Sequence, residues 1–217
     1  ARPDVAFSMA SDDPFWWSAA EPVWIAAERA GVRSATMFWP GSNVAISGYR
    51  PSDWQAYNQN VTAEQRVRAV IDWLRRPTAE RPRFITLYFD DVDTAGHDFG
   101  PNAPETMAAV AKIDRAIGEL KARLHSLGQT ANLVIVSDHG MAEISPVRVV
   151  RLGSFLDLST IRVIEDGPFA AFRAAEGREA AVTRALANAP AHVRCWPRAE
   201  IPAQFSYRAS PRIAPFL

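Results

Sequence analysis

Two stretches of the chain carry side chains whose types and spacing could hold metal ions. In DDVDTAGHDFGP, Asp93 and His97 lie four positions apart, and in SDHGM, Asp138 and His139 are adjacent. A carboxylate and an imidazole make a borderline ligand pair that suits Zn2+, at about 2.0–2.2 Å from oxygen or nitrogen. Ala95 and Gly96 predict a tight backbone turn that points Asp93 and His97 at one ion, and Gly140 lets a loop open after His139. Two such half-sites facing each other would form a two-metal centre with ions about 4 Å apart, which clamps the oxygens of a phosphoryl group during displacement. An isolated Asp-His-Gly is more often a turn than a ligand set, so the metal reading rests on both pairs closing the ends of strands. His125 and His192 are read as structural or solvated. Asp90, Asp91 and Asp98 are read as loop acids, one of which could orient an imidazole from behind.

The elements that must position these pairs are legible as hydrophobic pattern. FITLYF at 84–89 and LVIVS at 133–137 are apolar runs expected of strands buried on both faces, and each leads into a ligand pair. Between them Met107, Val110, Ile113, Ile117, Leu120 and Leu124 step by threes and fours along a helix closed near Gly128. Strand, helix and strand predict a βαβ unit, and the carboxyl ends of parallel strands are where such sheets bind ligands. Upstream, a helix is predicted over 21–30 with Val23, Ala26, Ala27 and Ala30 on its apolar face, and a strand over 35–39. Residues 40–60 read as an irregular functional excursion that includes Tyr57. Thr62 and Gln65 form a capping box ahead of Val67, Val70, Ile71 and Leu74, in a helix ending before Pro77. The expected fold class is α/β, a mostly parallel sheet with helices on both faces. A small α+β unit follows from about 145, with strands at 168–173 and 193–196, a helix at 178–188 and a loop-like tail over 197–217.

Composition removes several function classes. The 217 residues suffice to bury about 70% of the unfolded chain's surface without disulfides or a structural metal. The 24 basic and 24 acidic residues cancel and are interspersed, which argues against a nucleic-acid polymer as partner. Cys195 is the single cysteine, without a redox or nucleophile motif around it, and no apolar run approaches the roughly 18 residues of a membrane span. No secretion signal and no initiator Met are present, so the chain is expected to be cut from something longer. No G-x-S-x-G elbow, Walker loop or G-x-G-x-x-G occurs.

Through EPVWIAAERAG, ATMFWPGS, YFDDVDTAGHDFGP and VSDHGM, in that order, the chain resembles the nucleotide pyrophosphatase/phosphodiesterase family of the alkaline-phosphatase superfamily. The resemblance implies a phosphodiester hydrolase with two Zn2+, a Thr nucleophile and a covalent nucleotidyl intermediate. Asp93 and His97 match ligands of one zinc, and Asp138 and His139 match ligands of the other. Tyr57 and Tyr88 match positions that stack on the nucleotide base, although sheets also favour an aromatic such as Tyr88 for packing alone. The implied substrates are nucleoside triphosphates, dinucleotides or nucleotide esters, cleaved to release a nucleoside monophosphate, in a periplasmic or extracellular setting. In the family a metal-binding Asp and the Thr lie upstream of the matching region and a further His ligand lies downstream. Residues 1–144 are therefore expected to be the central part of a catalytic domain and 145–217 a small insertion and connecting tail. No catalytic nucleophile is expected in this chain, which by itself should be inactive. Two other readings stay open, another phosphohydrolase of the same superfamily and a noncatalytic nucleotide- or metal-binding module.

Overall fold

The computed structural model describes residues 11–207, 210 and 212–217, and its contacts divide them into one compact unit up to Glu143 and another over Ile144–Leu217. In chain order the first unit contains α1 (Pro14–Trp17), α2 (Val23–Arg29), β1 (Ser34–Met37), β2 (Asp53–Gln55), α3 (Ala63–Leu74), β3 (Phe84–Leu87), α4 (Asp91–Phe99) and α5 (Pro104–Ser126). The second contains β4 (Ile161–Glu165), β5 (Ala171–Ala174) and α6 (Glu179–Leu186).

The sheet of the first unit is parallel throughout, in the order β2-β1-β3, with Ala35 opposite Ile85 and Met37 opposite Leu87. All four residues of β1 are buried, as a central parallel strand requires. Side chains alternate between faces along a strand. On one face Ala35, Met37, Ile85 and Leu87 join Val67, Val70, Ile71 and Leu74 of α3 and Ala116, Leu120 and Leu124 of α5. On the other, Phe84 packs with Trp24 and Ile25 of α2. Helices thus cover both faces, and each fully buried Val, Ile or Leu contributes about 1.5–3 kcal/mol.

α3 begins where its capping box predicts. Thr62 Oγ1 accepts from the Gln65 N–H at 3.3 Å, and Gln65 Oε1 accepts from the Thr62 N–H at 2.8 Å. α2 turns a different face inward from the expected one, since Trp24 and Ile25 are buried and Val23 is 57% exposed. Large apolar side chains gain more from burial than the alanines on the opposite face. Glu28 of α2 ties this layer to the sheet. Its Oε1 accepts from Ser34 N (2.7 Å), Ser34 Oγ (2.7 Å) and Ser52 N (2.8 Å), and its Oε2 accepts from Ser52 Oγ (3.0 Å).

Three expectations need correction in this unit. The excursion after β1 contributes β2, whose three residues, Asp53, Trp54 and Gln55, are too short for an alternating pattern to show. The stretch after β3 is not a loop but the helix α4. The run LVIVS forms no strand, and Val134, Ile135 and Val136 are 83%, 72% and 68% exposed, so the expected βαβ unit over 84–137 is absent. A strand needs ladder partners for its N–H and C=O groups. Among the described residues β3 pairs with β1 alone, and 133–137 pairs with no strand. The parallel arrangement arises instead from β1, β2, α3 and β3.

In the second unit β4 and β5 are antiparallel, with a bulge between Val163 and Glu165. β4 was not foreseen in the sequence. The strand expected at 193–196 is replaced by Trp196 exchanging backbone hydrogen bonds with Leu217. The tail returns to the core, where the Phe216 ring stacks on Phe172 at 5.8 Å and 9°. Cys195 is half-buried and burial pushes its thiol pKa up, as suits an inert packing residue.

Candidate functional site

The ends of β1 and β3, the segment after β2, the helix α4 and the segment around Asp138 gather the residues that could do chemistry. Asp93 and His97 sit four apart on α4, so the helix itself puts them on one face, where a backbone turn had been expected. His97 Nε2 lies 3.5 Å from Asp93 Oδ1. His139 Nε2 lies 3.8 Å from the same oxygen and 3.5 Å from Asp138 Oδ2. The structure therefore brings both sequence pairs together even though 133–137 is not a strand.

Gly96 is what admits the second pair to α4. A Cβ at this buried helical position would run into the thioether of Met141, so the SDHGM segment rests on the helix where the glycine leaves room. His139 Nδ1 is 3.0 Å from the Gly140 carbonyl oxygen. With its proton on that nitrogen, His139 turns the lone pair of Nε2 toward Asp93.

These donors fit a metal ion at one revealing point. Asp93 Oδ1 is buried and has no hydrogen-bond partner, an uncommon condition for a carboxylate oxygen. The His97 nitrogen stands 3.5 Å from it, inside the roughly 3.3–3.6 Å between ligand atoms of a tetrahedral ion bonded at 2.0–2.2 Å, and the His139 nitrogen at 3.8 Å lies outside that range. Among the described residues, no three His, Cys, Asp or Glu side chains close on one point as a complete three-ligand site would. The four residues form a chain of pairs.

Beside them is an aromatic patch. The Tyr57 ring meets the edge of Phe38 at 5.7 Å and Tyr88 at 6.4 Å. The Tyr57 hydroxyl donates to Asp90 Oδ2 at 2.5 Å, while Arg66 Nη1 donates to Asp90 Oδ1 at 2.6 Å and to the Tyr88 carbonyl at 3.0 Å. Arg66 Nε donates to the Val61 carbonyl at 2.9 Å, and the guanidinium lies 4.9 Å over the Phe38 ring. The hydrogen bond to Asp90, burial and the Asp90 charge push the Tyr57 phenol up to about 12, so it stays a donor at neutral pH. Burial raises the Tyr88 phenol, and the charges of Asp90, Asp93 and Asp138 raise it further. For Asp90 burial also acts upward, but the hydrogen bonds from Tyr57 and Arg66 outweigh it and hold the carboxyl below its ordinary range.

Asp90 and Asp91 are therefore not loop acids. Asp90 joins the end of β3 to Tyr57 and α3, and Asp91 holds Lys112 of α5 at 2.6 Å. Sequence reasoning missed Arg66 and Phe38. Arg66 sits beside the apolar stripe of α3 and looks like a solvated charge, yet it is 2% exposed. Phe38 follows β1 with a φ of 61°, a left-handed conformation costly for a bulky residue. No sequence pattern announces either.

The family model for type I phosphodiesterase / nucleotide pyrophosphatase matches residues 1–217. The chain belongs to this family. It is similar to ectonucleotide pyrophosphatase/phosphodiesterase family member 1 of Mus musculus, with 39% identity over 175 residues, 78% of this chain and 19% of that protein. It is similar to the bis(5'-adenosyl)-triphosphatase of Homo sapiens, with 36% identity over 216 residues, 97% of this chain and 47% of that one. An inactive form of murine ectonucleotide pyrophosphatase/phosphodiesterase 5, solved in complex with AMP, superimposes with a TM-score of 0.87 at 32% identity, over 96% of this chain and 56% of that structure. The chain thus has the alkaline-phosphatase-like α/β fold, and it spans from a fifth to about half the length of these relatives.

Proposed function

We propose that the chain supplies the metal-holding and base-holding part of a zinc-dependent hydrolase, which in its complete form cleaves nucleotide phosphodiester or pyrophosphate bonds and releases a nucleoside monophosphate. Its setting would be periplasmic or extracellular, as the family resemblance implies. The observation that carries the metal assignment is the buried Asp93 oxygen, which lacks a hydrogen-bond partner and faces the Nε2 atoms of His97 and His139. Asp93 and His97 would hold one Zn2+, and Asp138 and His139 the other. Zinc bound there supplies a Lewis acid that stabilises charge on phosphoryl oxygens.

The chain's own residues do the rest by placement. α4 holds Asp93 and His97 in line, the Gly96–Met141 contact holds the second pair against them, and the Gly140 carbonyl fixes the tautomer of His139. Tyr57 and Tyr88 offer aromatic surface to the base of a nucleoside triphosphate, dinucleotide or nucleotide ester, and the phosphates extend toward the carboxylates and imidazoles. The Thr that attacks phosphorus would come from a segment upstream of these residues in the complete domain. Alignment of that nucleophile with the phosphoryl group would contribute to the rate beside the charge stabilisation at the metals.

Zinc calorimetry tests the assignment. Asp93→Asn combined with His139→Gln should weaken binding by more than the roughly 10–100-fold that loss of an outer hydrogen-bond partner costs. An unchanged titration would sink it. For the complete activity, hydrolysis of a nitrophenyl nucleotide ester with zinc supplied should be substantial in a longer chain that includes the upstream Thr and nearly absent in the 217 residues alone. Equal rates would mean that the nucleophile lies within this chain.

A further inference from the structure

We infer that Arg66 and Asp90 are positioning residues that hold Tyr57 as a fixed wall for the nucleotide base, an inference that rests on the reading of Tyr57 as a base-stacking residue. Tyr57 follows β2 in a stretch without regular structure and is 37% exposed, so an unrestrained ring there would sample several rotamers and lose that freedom on binding. Instead three contacts determine its orientation. The hydroxyl is bonded to Asp90 Oδ2, one edge meets Phe38 and another meets Tyr88.

Asp90 is itself held rigidly. Its other oxygen is bonded to Arg66, which is anchored to the Val61 and Tyr88 carbonyls and stacked over the Phe38 ring. A pair that served packing alone would need only the Arg66–Asp90 contact. The second carboxylate oxygen is committed to an exposed loop aromatic, which adds little to a core but fixes the plane of a stacking surface. Asp90 also precedes α4, three residues before Asp93, but its carboxylate makes no capping hydrogen bond to that helix, so both of its oxygens serve Tyr57 and Arg66. With its hydroxyl proton given to Asp90, the ring offers the base a face and no hydrogen-bond donor.

Binding of AMP and of ribose 5-phosphate to the 217-residue chain, with zinc supplied, separates the roles, because only AMP carries a base. Tyr57→Ala should weaken AMP about tenfold or more. Tyr57→Phe and Asp90→Asn should each weaken AMP about twofold to tenfold, the effect of one hydrogen bond, and leave ribose 5-phosphate unchanged. Added to Tyr57→Ala, Asp90→Asn should have no further effect on AMP, because it acts through the missing ring. If Asp90→Asn does not fold, Tyr57→Phe alone carries the test. A wild-type chain that prefers AMP no more than ribose 5-phosphate, or a Tyr57→Ala chain with unchanged AMP binding, overturns the base-wall reading itself. A Tyr57→Ala chain that loses AMP while Tyr57→Phe and Asp90→Asn bind it like the wild type leaves that reading intact and overturns the positioning role. So does an Asp90→Asn chain that loses ribose 5-phosphate as much as AMP.

Discussion

Arg66 concentrates more of the site's energetics than any residue with the ordinary look of a catalytic group. Its guanidinium is buried, and removing it leaves the Asp90 carboxylate in a partly buried position with only the Tyr57 hydroxyl as side-chain partner. Arg66→Met is expected to cost about 3–5 kcal/mol in urea-induced unfolding, the usual penalty for breaking a buried pair from one side. Adding Asp90→Asn should recover part of that loss, because the orphaned charge goes with it. A loss below about 1 kcal/mol for the single variant would show the pair to be solvated in spite of its burial. Asp93 presents the opposite case, since its buried oxygen has no hydrogen-bond partner whose loss could be measured.

At the scale of elements, α4 accepts a glycine in its interior, which disfavours a helix by about 1 kcal/mol relative to alanine. Gly96→Ala should therefore strengthen the isolated helix while making the Met141 thioether, the end of a flexible side chain, give way, which loosens the seat of Asp138 and His139 beside Asp93. The expected outcome is weaker zinc binding by calorimetry without loss of helical circular dichroism. Undiminished zinc affinity would show that the SDHGM segment does not need its seat on α4. Glu28 links α2 to β1 and to the approach of β2, and its titration gives a pH signature. Burial raises its carboxyl pKa, but the hydrogen bonds from Ser34 and Ser52 outweigh that and hold it below the ordinary 4.5. A depressed folded pKa means stability that is fully present above about 4.5 and is lost as pH falls through the folded value. The Tm advantage of the wild type over Glu28→Gln should accordingly be constant at neutral pH and shrink below pH ~4.5. A gap that widens on acidification would contradict the hydrogen-bond account.

Across the whole chain, surface character separates the two apolar stretches that look alike in sequence. FITL is held against β1, whereas Val134, Ile135 and Val136 are open to solvent, and a groove of about 480 Å³ lined by Ile117, Lys121, Leu133 and Ile135 runs beside them. An exposed extended apolar run with zero net charge on the chain favours association. Val134→Glu should slow aggregation in light scattering and leave Tm unchanged. A fall in Tm of several degrees would mean that Val134 is packed in solution. No helix among the described residues is long and apolar enough to cross a membrane. The fold itself agrees with the solved family members over nearly the whole chain.

The sequence by itself determined the elements whose information is local. The Thr62–Gln65 capping box and the Val67, Val70, Ile71, Leu74 stripe specify α3 because both signals act within a few residues, and the Asp93–His97 and Asp138–His139 pairs stand out by residue type and spacing alone. The family motifs were legible in the same way. Tertiary structure alone decided the long-range partners. β2 exists because β1 offers it a ladder, α4 turns a presumed loop into a helix that faces Asp93 and His97 together, and LVIV stays unpaired for want of a neighbour that its own pattern cannot supply. Arg66, Asp90 and Phe38 gain their meaning from contacts between β1, α3 and the end of β3, and a side chain's burial and partners are properties of that packing.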